Sequence, residues 1–282
     1  MFTLLYSFLL FIIGIIAGFI GAMTGLGGAV VVTPALSILF GIPIEYAAGA
    51  SLVSTIATSS GAATAYIKDR VTNIKIGMSL EIATTAGAII GALLAAFVYS
   101  HNLAYLIFIT FGVVVLMSVY PTLKHKGKYK IMKADRSTDI FQLKGEYYDR
   151  ASKKVVKYTG VRWWLGEGIM FIAGGISGLL GVGSGVLKVL SMDSGMHLPI
   201  KVSTATSDFM IGVTAVTGSA IYWELGYIKP LIAAPVIVGV LLGSYIGSKK
   251  MEEEKGSKVR LMFIAILSIV AIEMILRGLG VA

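Results

Sequence analysis

The chain contains no cysteine. Disulfides, thiolate catalysis and cysteine-held zinc or iron–sulfur centres are therefore excluded. Its three histidines, His101, His125 and His197, are scattered and form no ligand pair at helical spacing. Charge is scarce too: Asp, Glu, Lys and Arg make up 14% of the 282 residues, against about 25% in soluble domains. Apolar residues of the AVILMFWYC set reach 56% instead, and mean hydropathy is +0.85. Long apolar runs follow one another at about 4–22, 28–41, 45–66, 73–97, 103–121, 163–179, 184–198, 202–223, 229–248 and 259–280. About 20 such residues cross a bilayer, so the expected fold is an all-α polytopic membrane protein. Met1-Phe2-Thr3 offers no basic leader, and residues 4–22 are read as a retained span.

The net charge of +9 is unevenly spread. Residues 121–162 hold twelve Lys/Arg and four Asp/Glu. A basic loop between apolar spans is a cytoplasmic loop by the positive-inside rule, where it can touch anionic lipid. Nucleic acid is not an expected partner; the lipid bilayer is, and a homo-oligomer stays open. Three units follow: 1–121, a basic connector at 122–161, and 162–282. Within the connector, apolar-aromatic stretches at 141–148 and 155–158 flank polar Asp149–Lys154, which reads as a hairpin. Either a tethered cap or a regulatory or ligand-binding element fits it.

The two outer units are copies. An offset of 156 pairs Gly18 with Gly174, Gly25 with Gly181, Gly27 with Gly183, Pro43 with Pro199, Ser51 with Ser207, Tyr66 with Tyr222, Gly87 with Gly243 and Gly91 with Gly247. Between residues 16 and 91 no gap is needed, and 16 of 76 positions are identical. Each copy has five segments. The first two meet at a glycine cluster, 21–28 or 178–185, and the second is short for a crossing, as a re-entrant or broken helix would be. If each broken pair returns to the side it entered from, loops 68–75, 124–162, 201 and 249–260 share one side with 21 of 24 Lys/Arg. The copies are then inverted, the connector cytoplasmic and both termini extracytoplasmic. Duplicated, glycine-broken spans mark a secondary transporter.

Three constellations could carry chemistry. Gly25, Gly27, Gly28 and Gly181, Gly183, Ser184, Gly185 either let helices pack closely or free backbone N–H groups that hold an anion at a half-helix start. Ser51 and Ser207, each eight residues past a matched proline, either bond a backbone carbonyl or line the site. Lys188 and Asp208 are charges inside apolar runs, which default to function. Lys188 could attract the anion; Asp208 could neutralise it or carry a coupling proton. Glu81, Asp193 and Glu273 are read as reaching a membrane surface. No cofactor motif and no catalytic pair is present.

The pair of motifs, Gly25-Leu26-Gly27-Gly28 with Pro34 and Ala50-Ser51, then Gly181-Val182-Gly183-Ser184-Gly185 with Lys188 and Ala205–Ala215, resembles the TauE/SafE family of sulfite and organosulfonate exporters. The resemblance covers roughly 14–97 and 170–250. It departs from the family pattern at Ser184, Leu190 and Asp208, where glycine, proline and asparagine are common. It implies a cell-membrane permease for sulfur-containing anions. The expected function is a secondary transporter of a small anion, a sulfur oxyanion or organosulfonate, driven by an ion (proton) gradient, since no nucleotide-binding loop is present. An uncoupled anion channel or membrane component is the alternative, and an intramembrane enzyme a more distant one.

Overall fold

A computed structural model describes residues 2–101, 103, 105–106, 108–110, 112–113, 116, 132–180 and 184–280. In the first copy, α1 (Phe2–Thr24) breaks and restarts as α2 (Ala29–Leu39), followed by α3 (Ile44–Lys68) and α4 (Ile74–Ser100). The fifth segment is helical where it is described, between 105 and 116. The connector supplies a short helix α5 (Arg136–Ile140) and strands β1 (Lys144–Asp149) and β2 (Lys154–Thr159). The second copy runs α6 (Trp163–Leu180), α7 (Gly185–Leu190) continued by a π turn at Ser191–Gly195, α8 (Ile200–Glu224), α9 (Pro230–Glu253) and α10 (Gly256–Gly278).

The protein is mostly helical, and its spans are built on two principles. Helices α1, α4, α9 and α10 contain stretches long and apolar enough to cross a bilayer. Helices α3 and α8 are 25 residues each, yet rich in buried Ser and Thr. Neighbouring helices bury these hydroxyls, so those side chains need not be apolar. Helix α2 has 11 residues, about 16 Å at 1.5 Å per residue, half of a hydrocarbon core. Gly25 and Gly27 make the break before it, at φ +75° and +73°, where a Cβ would crowd the backbone.

The copies interleave. Gly14 and Gly18 of α1 lie against Val236–Val240 of α9, and Gly243 and Gly247 of α9 lie against Ile15 and Phe19. Numbers rise together on both, so the pair is parallel. The same arrangement recurs with the copies exchanged: Gly87 and Gly91 of α4 meet Phe171, Gly175 and Leu179 of α6. Without Cβ atoms the backbones approach closely, as they must where lipid supplies no hydrophobic force between helices. Equivalent helices also meet each other. Ser59 of α3 bonds Phe209 O of α8 at 3.2 Å, while Leu52 faces Gly218 and Gly49 faces Tyr227, so α3 and α8 run antiparallel. The fifth segment and α10 do likewise, with Gly112 against Ala271 and Ile275, and Gly278 against Tyr105 and Ile109.

The strands pair antiparallel, Lys144 opposite Thr159 and Asp149 opposite Lys154. Asp135 caps α5 by accepting from Thr138 N at 2.9 Å, and it also accepts from Arg162 N at 2.7 Å just before α6. Burial pushes this carboxyl up, but hydrogen bonds from Ser137, Arg162 and Thr138 outweigh it and hold its pKa at about 2. Phe141 stacks on Trp163 at 3.7 Å, and together these contacts moor the connector to the membrane body.

Candidate functional site

A helix that stops inside a protein leaves its last carbonyls without intrahelical partners. The matched tyrosines answer this need. Tyr66 OH donates to Ala22 O at 2.8 Å near the end of α1, and Tyr222 OH donates to Gly178 O at 3.4 Å near the end of α6. Both tyrosines are fully buried, and Gly178 is Ala22 displaced by the repeat offset. The matched serines form a second symmetric pair: Ser51 Oγ donates to Ala29 O at 3.3 Å, and Ser207 Oγ lies 3.5 Å from Gly185 O.

Ser207 makes a shorter bond to the other copy, donating to Gly25 O at 2.7 Å. The two breaks therefore touch. A Cβ on Gly185 would lie 2.5 Å from Gly25 O and Leu26 Cα, and one on Gly25 would lie 2.8 Å from Thr204 Cα. Gly28 N–H, at the start of α2, donates to Thr58 Oγ1 at 3.1 Å. Gly27 faces Ile211 and Thr55. Gly181 and Gly183 lie outside the described residues.

The buried charges are arranged differently from the sequence reading. Lys188 pairs with Glu81 of α4, Nζ to Oε2 at 2.9 Å, at 0% and 5% exposure. Thr214 Oγ1 bridges the two groups. Asp208 is not the counter-ion, and Glu81 does not reach a surface: the fold turns its side chain inward onto Lys188. Glu81 is the single acid in residues 74–98, which was the available signal. Asp193 also turns inward, to Arg260 at 2.6 Å. The offset partners of Lys188, Thr214 and Glu81 are Val32, Thr58 and Ile237, so this triad draws on both copies and is not repeated by the duplication.

Asp208 is fully buried, and neither of its carboxylate oxygens has a hydrogen-bond partner among the described residues. Ser184 Oγ and Thr204 Oγ1 are also buried and unbonded. Thr204 and Asp208 stand one turn apart on one face of α8, and Thr204 abuts Gly25. A lone buried carboxylate is costly when ionised. Lys188 and Glu81 cancel, whereas Asp208 has no such partner among the described residues. Among the described residues no group of acids and histidines could hold a metal ion.

The profile of the sulfite exporter TauE/SafE family matches residues 10–274. The chain is similar to the probable membrane transporter protein YunE of Bacillus subtilis, at 27% identity over 96% of this chain and 98% of that protein. It is also similar to the probable membrane transporter proteins YdhB of Bacillus subtilis, at 29% identity over 87% and 89%, and MJ0441 of Methanocaldococcus jannaschii, at 25% over 95% and 95%. No solved structure matches significantly.

Proposed function

Because this chain belongs to the sulfite exporter TauE/SafE family and is a membrane transporter rather than an enzyme, we propose that it carries a small anion, a sulfur oxyanion or organosulfonate, by alternating access, together with a proton. The observation that carries this reading is the meeting of the two breaks, Gly185 against Gly25 and Leu26. Discontinuous helices from two copies of a fold, joined at depth in the membrane, are where secondary transporters bind their cargo. The N-terminus of α2 and the unbonded hydroxyl of Ser184 are the proposed anion contacts, joined by Ser51 and Ser207 when their hydroxyl protons leave Ala29 O and Gly25 O. Gly25, Gly27, Gly28 and Gly185 let the break pack closely against α3, α7 and α8 around it, and Gly181 and Gly183 are assigned to the site by their match across the repeat offset. Lys188, neutralised by Glu81, holds α4, α7 and α8 together behind the site.

The charge balance gives the sense of coupling. An ionised Asp208 beside the breaks repels an anion, and a protonated one does not. Anion and proton therefore occupy the site together and move in the same direction. In liposomes, a pH gradient is expected to drive uphill movement of sulfite or an organosulfonate. Asp208→Asn should remove the response to the gradient while leaving anion exchange intact. Movement of carboxylates with no response to any sulfur oxyanion would refute the substrate class, and an unaltered pH response in Asp208→Asn would refute the proton site.

Antiparallel α3 and α8 support an inverted relation of the copies, since these helices are equivalent by the repeat offset. With 21 of 24 Lys/Arg on one side, the connector is assigned to the cytoplasm and the termini to the far side. Single cysteines in the cysteine-free chain test this. Phe2→Cys is expected to label from outside the cell and Ile140→Cys only after permeabilisation; both labelling from the same side would rule the arrangement out.

A further inference from the structure

The connector hairpin is anchored on one copy and clasped to the other. On the first copy, Asn73 Nδ2 donates to Tyr158 OH at 2.9 Å, Lys75 Nζ to Gln142 Oε1 at 2.6 Å, and Arg150 pairs with Asp69 at 2.8 Å. Asp69 and Asn73 lie at the turn between α3 and α4, and Lys75 in the first turn of α4. On the second copy, the hairpin tip reaches the start of α8 and the end of α9. Asp149 accepts from Lys201 Nζ at 2.7 Å, and Arg150 Nε lies 3.4 Å from Glu252 Oε2. Lys201 Nζ also donates to Glu252 O at 2.9 Å, meeting a carbonyl of the last turn of α9.

The physical need for the clasp is plain at Lys201. This ammonium is 2% exposed and sits in the first turn of α8, where the helix dipole is unfavourable to a cation. Without Asp149 it would be a buried cation with no directly bonded carboxylate, a costly arrangement. Desolvation raises the Asp149 carboxyl, but hydrogen bonds from Lys201 and Ser152 and the Lys201 charge prevail and hold it below the ordinary value. Under the clasp lies a cavity of about 290 Å³ lined by Asp69, Tyr147, Tyr148, Arg150, Lys201 and Glu252. It lies at the membrane-body face of the hairpin, two turns of α8 from Asp208.

We propose that the hairpin is a gate strap: the Asp149–Lys201 pair and the contacts of Arg150 with Asp69 and Glu252 hold the connector-side ends of α3, α8 and α9 together, and the path to the site opens on that side when the tip lets go. The strap gives the alternating-access reading, on which it rests, a closing element outside the membrane. Release breaks the Asp149–Lys201 and Arg150–Asp69 ion pairs and wets Lys201, so it is reversible and favoured by anything that competes for those charges.

The test reads accessibility and needs no substrate. Ser203→Cys places a thiol in the first turn of α8, two residues past Lys201. The serine is fully buried and its hydroxyl has no hydrogen-bond partner among the described residues, so the replacement loses no bond. A membrane-impermeant maleimide is applied from the connector side of oriented vesicles. Arg150→Ala, whose native side chain is 47% exposed and therefore removable without a buried void, is expected to speed labelling at least fivefold, as is Asp149→Asn. Arg150→Lys should stay near the parent rate. Lys157→Ala, on the same hairpin but remote from the clasp, should not change it. Equal labelling in parent, Arg150→Ala and Asp149→Asn would overturn the strap. So would acceleration by Lys157→Ala, because general loosening of the hairpin would then explain the effect. Faster labelling in a protein that moves no anion would leave the strap standing and remove the transport reading.

Discussion

Gly25→Ala is expected to abolish transport, whereas Gly41→Ala is expected to preserve it. Both glycines have positive φ, +75° and +62°, so both alanines meet the left-handed penalty of about 1–2 kcal/mol. They differ in space. A Cβ at Gly41 meets nothing within 4 Å, while one at Gly25 lies 2.8 Å from Thr204 Cα and 3.0 Å from Thr204 O. Backbone cannot turn aside as a flexible side chain can, so the alanine must push the break away from α8 and strain the Ser207–Gly25 bond. Transport in liposomes, normalised to the amount of inserted protein, separates the cases. Equal activity in the two variants would mean that the break need not lie against α8.

Lys188→Met and Glu81→Leu should each destabilise the protein severely, and the double variant should recover most of the loss. Either single change strands a buried charge, at a cost of about 3–5 kcal/mol when a buried pair is broken. Replacing both partners by apolar groups removes the stranded charge, and such exchanges are often neutral. Thr214 keeps a bond in the double variant, because its hydroxyl also lies 3.3 Å from Met210 O. Thermal unfolding in detergent reads the coupling directly. A double variant no more stable than the singles would show that the pair does not act as a unit. Recovery of stability together with full transport would place Lys188 outside the anion site.

Much of the architecture was legible in the residue pattern, because membrane folding is governed by local requirements. A helix must be long and apolar to cross lipid, so the apolar runs at 4–22, 73–97, 229–248 and 259–280 overlap α1, α4, α9 and α10 almost throughout. Glycines and prolines dictate backbone shape, so their recurrence at a constant offset exposed the duplication, and the dense cluster at 21–28 contains the break between α1 and α2. The family likeness came from the same motifs.

Pairing was another matter. Nothing in the one-dimensional order said that Lys188 would meet Glu81, 107 residues away, or that Asp208, twenty residues from Lys188, would face neither. Charge partners depend on which faces of three helices converge, and hydropathy is blind to rotation about a helix axis. The same holds for Tyr66 and Tyr222: their match across the offset was visible, but not that each secures a carbonyl near the end of a broken helix. The hairpin's polar turn was readable from Asp149–Lys154, yet its attachment to Lys201 and Glu252 was not, since those residues come from opposite ends of two helices. The sequence by itself thus determined the spans, the breaks and the duplication, which rest on length, composition and backbone freedom. Which copy contacts which, which charges cancel and which carboxylate is left alone were decided only by tertiary structure, because they depend on distances between segments far apart in the chain.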